Sequence, residues 1–93
     1  MATTSEVKVG LHAIAQIISE QRDVMKKVKS NAGLASTALG AVPTDFADVI
    51  ATINGYGTAD AFEAVAKAEF AKLTTEFLAL KDDADAVAAV DLG

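Results

Sequence analysis

The sequence predicts an all-α fold: a small helical bundle with two long helices, about 6–29 and 59–81 or beyond, and a short helix at about 44–54. Three observations carry this. Alanine, the strongest helix former, occurs 20 times in 93 residues. Apolar residues in both long segments recur at alternating steps of four and three, the spacing of one helix face. Between the periodic segments lie "SNAG", "GAVPTD" and "NGYGTAD", whose Gly, Pro, Asn and Asp residues punctuate helices.

In the first helix Val7, Leu11, Ile14, Ile18, Met25 and Val28 keep heptad phase, with the polar Gln21 on the same row. Ile17 and Val24 widen the row, which implies more than one packing partner. Gly10, inside the helix, costs about 1 kcal/mol relative to Ala, so fraying of the first turns is expected. Gln21 marks either a specific oligomer seam or a position that a neighbouring helix leaves partly exposed.

Residues 30–42, "SNAGLASTALGAV", carry no charge. Asn31 and Gly33 are expected to end the first helix, leaving an uncharged connecting segment with at most a short helical turn at "LASTAL". Its apolar character implies packing, either over the chain's own core or, as an interaction arm, against another chain. Leu34, Leu39 and Val42, together with Gln21, are the candidate interface residues.

Pro43 or Thr44 then starts the short helix, with Asp45 and Asp48 near its positive end and Phe46, Val49, Ile50 and Ile53 on one face. A helix corner follows. Gly55 supplies a left-handed residue, Tyr56 folds back on Ile50, Gly57 frees the turn and Thr58 caps the next helix. "NGYGTAD" is no dinucleotide fingerprint, because Asp60 stands where a third glycine is needed. No Gly-Lys-Ser/Thr follows either, which excludes a phosphate loop.

In the third helix Ala66, Phe70, Leu73, Phe77 and Leu80 continue the four–three alternation, preceded in phase by Ala59. Ala84 and Val87 stay in phase, so residues 82–91 either extend the helix or form a separate turn capped by Asp82, Asp83 or Asp85. The two long helices match in length and phase, which predicts an antiparallel pair with the short helix across it.

The length suits a single domain spanning 1–93. Absence of cysteine excludes disulfides, thiolate metal sites and a thiol nucleophile. His12 is the only histidine and lies off the apolar row, so no triad is supported and no catalysis is expected. "DDAD" lacks the spacing, glycine and distant glutamate of a calcium loop. No cofactor or metal is therefore expected.

No signal peptide or membrane span is read from the sequence, so a soluble chain is expected. Net charge is −5, with +2 in residues 1–41 and −7 in residues 42–93, which argues against general nucleic-acid binding. The one basic cluster, Arg22, Lys26, Lys27 and Lys29, suits the negative end of a helix or, as the alternative, a phosphate-binding patch.

In "ALGAVPTDFADVIATINGYG" (38–57) and "AKAEFAKLTTEFLALK" (66–81) the chain resembles small helical structural proteins of tailed bacteriophages, of the capsid decoration (cement) and head–tail accessory kinds. That resemblance implies a virion component, assembled in the host cytoplasm, that binds and bridges other capsid subunits in many copies. It transfers no functional residue. The alternatives are a self-associating helical adaptor with Gln21 at its seam and a nucleic-acid accessory using Arg22 to Lys29.

Overall fold

The computed structural model describes residues 2–90. These described residues form four helices: α1 Thr4–Met25, α2 Lys29–Asp45, α3 Ala47–Asn54 and α4 Ala61–Ala88. The described residues form a rod of 55 × 18 × 17 Å. The all-α bundle is as the sequence predicts; its connectivity is not.

The main difference lies at residues 30–42, which are helix rather than connecting segment. α1 stops at Met25, where the Lys26 amide bonds back to the Asp23 and Val24 carbonyls, and Val28 is extended at φ −146°, ψ 154°. α2 then runs through Asn31, Gly33 and Gly40. The reason is its buried row: Ala32, Ala35, Leu39 and Val42 recur at helical spacing. Three of these four are small or short, so neighbouring helices approach closely and packing outweighs the two helix-weakening glycines.

Pro43 does not begin the short helix. It sits in the last turn of α2, where it has no N–H to return to Leu39. The chain leaves helical geometry three residues later at Phe46 (φ −113°, ψ 24°) and re-enters it at Ala47. Thus α2 and α3 are one middle helix broken at Phe46.

That middle helix corrects the predicted antiparallel pairing of the long helices. Lys8 of α1 stands 5.4 Å from the Phe62 ring centroid of α4, and Arg22 of α1 pairs with Glu76 of α4. Both links advance along the two helices in the same sense, so α1 and α4 are parallel. α2 opposes α4, since Ser36 bonds Asp85 while Gly40 lies against Lys81. A 29–54 segment that is helical almost throughout spans the rod and returns the chain to the end where it started.

The core is assembled from all four helices. Val7, Ile14 and Ile18 of α1 meet Leu39 and Val42 of α2, Ile53 of α3, and Ala66, Phe70 and Phe77 of α4. At the N-terminus Thr3 accepts from the Glu6 amide at 3.2 Å, and its hydroxyl donates to the Glu6 carboxylate at 3.3 Å. This Thr-x-x-Glu pairing sets the start of α1 two residues earlier than apolar periodicity alone indicates.

Gly10 is buried in the middle of the α1 crossing with α3, not in a fraying turn. The helix corner also differs in detail. Gly55 is right-handed at φ −83°, ψ −6°, and Asp60 rather than Thr58 caps α4, accepting from the Glu63 amide at 3.0 Å. Tyr56 meets Phe62 edge-on, ring centroids 6.1 Å apart. α4 continues through the acidic run to Ala88, with Ala84 fully buried, and position 91 lies outside the described residues.

Candidate functional site: an uncharged helix face and an apolar groove

α2 buries one row and presents another. Its outward row runs through Ser30, Leu34, Thr37 and Thr44, all exposed and uncharged, and meets a charge only at Asp45, the last residue of the helix. Leu34 stands 67% exposed at the centre of this face. An exposed leucine alone is ordinary, but a solvent-facing helix row without charge is not the usual surface of a small acidic domain.

Of the four candidate interface residues, only Leu34 is on this face. Leu39 and Val42 are buried in the chain's own core, so neither offers a contact surface to another chain. They alternate with Leu34 in a way that only a helical α2 explains. Gln21 is half-buried on the α1 row whose Val7, Ile14 and Ile18 are covered by the chain's own helices. Its row is therefore an intramolecular seam.

Near the middle of the rod, a groove of about 550 Å³ runs between the broken middle helix and α4. Pro43 and Ile50 form one wall; Phe70, Ala71 and Thr74 form the other. The Thr74 hydroxyl is buried here without a hydrogen-bond partner among the described residues. The larger apolar residues Phe70, Leu73 and Phe77 mark the core-facing row of α4 and mask the one beside it. The neighbouring row, Ala71, Thr74 and Leu78, carries the same four-step and three-step spacing and was the available signal for this groove.

The basic cluster is partly engaged. Arg22 pairs with Glu76, and the Lys29 ammonium donates to the Val90 carbonyl just beyond α4, complementing that helix's negative end. The acidic run is solvated: Asp82, Asp83 and Asp85 are exposed. The Ser36 hydroxyl, and secondarily Lys81 at 3.0 Å, hold the Asp85 carboxyl below its ordinary range.

His12 is exposed on α1. Among the described residues no group of three His, Cys, Asp or Glu side chains could hold a metal ion. Gly55, Tyr56, Gly57 and Thr58 form the α3–α4 corner, fastened by the Lys67 ammonium donating to the Tyr56 carbonyl at 2.8 Å. No described helix is long and apolar enough to cross a membrane.

Compared with family models, with curated proteins and with solved structures, the chain matches none.

Proposed function

We propose that this chain is a non-enzymatic structural protein of a phage particle, a capsid-associated decoration or accessory protein that binds and bridges other capsid subunits. The observation that carries the reading is the outward row of α2 from Ser30 to Thr44, uncharged up to the terminal Asp45, with Leu34 67% exposed near its centre. Interface cores are depleted in charged residues, and burying such a face costs no desolvated charge. The kind of partner comes from the resemblance of residues 38–57 and 66–81 to small helical virion proteins.

A protein partner fits better than nucleic acid. Arg22 and Lys29 already have intramolecular partners, and the chain carries a net charge of −5. Phosphate binding requires clustered free cations. Assembly in the host cytoplasm and residence in the virion follow from the same reading.

The test is incorporation. Particles purified from the source culture are analysed by mass spectrometry, and binding of the purified chain to them is measured by co-sedimentation. Wild type is expected in many copies per particle, and Leu34→Glu is expected to stay folded but lose at least about tenfold in affinity. Absence of the chain from particles, together with no co-sedimentation, overturns the proposal.

A further inference from the structure

α4 carries a second row outside the core. Lys67, Ala71, Thr74, Leu78 and Asp82 follow at steps of four, three, four and four, so they lie along one side of the helix. The small residues Ala71 and Thr74 line the groove beside Pro43 and Ile50, while Leu78 projects next to it, 50% exposed. One end of the row is a cation and the other an anion.

This row is complementary to itself when reversed. Let two copies of α4 lie antiparallel, with the two-fold axis passing between Thr74 and Thr75. Leu78 of each copy then falls on Ala71 of the other, where the groove leaves room for a leucine. Lys67 of each copy falls on Asp82 of the other. Lys67 spends one of its three N–H donors on the Tyr56 carbonyl and keeps two. Asp82 is exposed on the outer side of α4. With the chains parallel the match is lost, because like ends then meet.

We infer that the chain forms a two-fold homodimer through this face of α4, with Leu78 seated in the groove at Pro43 and Ile50 and Lys67–Asp82 pairs at both ends. A closed two-fold contact uses the same patch on both partners, which is what a self-complementary row supplies. The row is only about 22 Å long, shorter than a standard interface of roughly 800 Å² per partner demands, so micromolar dissociation is expected. The inference is independent of the capsid reading, which uses the outer face of α2.

Sedimentation equilibrium of the full chain, from low micromolar to near-millimolar concentration, tests it. Wild type is expected to show a monomer–dimer equilibrium. Leu78→Asp is expected to weaken it at least about tenfold while circular dichroism retains full helicity, since Leu78 is outside the core. Asp82→Lys and Lys67→Asp are each expected to weaken dimerisation, and the double reversal to restore it. A wild type that stays monomeric at near-millimolar concentration overturns the inference. So does a dimer indifferent to Leu78→Asp, or one that the double reversal fails to rescue.

Discussion

Gly10 of α1 lies directly under Val49 of α3: a Cβ built on Gly10 would stand 2.9 Å from one Val49 methyl and 3.0 Å from the other. Val49 is β-branched and has little rotamer freedom in a helix, so it cannot swing aside cheaply. Gly10→Ala therefore sets an overpacking cost of about 1–3 kcal/mol against a helix-propensity gain of about 1 kcal/mol. The expected net loss is about 1 kcal/mol by urea denaturation. Val49→Ala in the same chain should cancel much of the clash. Equal effects of Gly10→Ala in the two backgrounds would show that Val49 is not the obstacle.

Gly33 presents the opposite case. It lies inside α2 with nothing within 4 Å of an added Cβ. Gly33→Ala should stabilise the fold by about 1 kcal/mol, the propensity difference alone. Gly55 belongs with Gly33 rather than Gly10: its right-handed φ of −83° and Cβ neighbours at 3.5 and 3.6 Å permit alanine. Gly55→Ala should change stability by no more than about 0.5 kcal/mol. A large loss there would mean that the corner needs a left-handed residue.

These glycines differ in what packs against them, which local sequence does not carry. The long rows of α1 and α4 were legible because large apolar residues mark their spacing: Val7, Ile14 and Ile18, then Phe70 and Phe77. α2 was not legible, because its buried row begins with Ala32 and Ala35, which carry little hydrophobic contrast with the exposed Leu34. Asn31 and Gly33 then read as a stop, although tertiary packing overrides local propensity here. Misplacing α2 turned α1 and α4 antiparallel and put Leu39 and Val42 among surface candidates. The Thr3–Glu6 cap was present as a Thr-x-x-Glu pattern but lay outside the apolar period. The contact row at Ala71, Thr74 and Leu78 was visible only as a companion to a stronger one.

Thr52 ties the N-terminal segment to α3. Its buried hydroxyl donates to the Asp48 carbonyl at 3.0 Å and accepts from the Ala2 amide at 3.2 Å. Thr52→Val keeps the shape but leaves the Ala2 N–H without its acceptor, at an expected cost of about 1 kcal/mol. Thr52→Ser keeps the acceptor and should preserve the tether. Amide hydrogen exchange at Ala2 provides the direct reading. Faster exchange is expected in Thr52→Val alone, and unchanged exchange would refute the tether.

Asp85 should sharpen the response to acid. The Ser36 hydroxyl chiefly, with Lys81 second, stabilises its carboxylate in the folded state and lowers its pKa. The folded state thus holds fewer protons than the unfolded one between the lowered value and the ordinary one near about 3.9. The contribution is full above that ordinary value and is lost as pH falls through the folded value. In Ser36→Ala the Asp85 titration, followed by carboxyl NMR, should move up towards the ordinary value. Asp85→Asn should lose less stability than wild type on acidification below about pH 4. An unmoved titration in Ser36→Ala would assign the shift to Lys81 instead.

Leu34 and Leu39 separate a helical α2 from a connecting segment most cleanly. They are five residues apart, about 140° around a helix, so one must leave the core when the other enters it. Leu39 is fully buried and Leu34 is 67% exposed. Leu39→Ala deletes a core side chain between α1 and α4 and should cost about 2–5 kcal/mol, depending on how far the cavity collapses. Leu34→Ala removes little buried area and should stay within about 0.5 kcal/mol of wild type. Thermal and urea unfolding of the two variants decide the point. A connecting segment with both leucines half-covered would give similar, intermediate losses. The helix gives a large loss at Leu39 and almost none at Leu34, which leaves Leu34 free for a contact outside the chain.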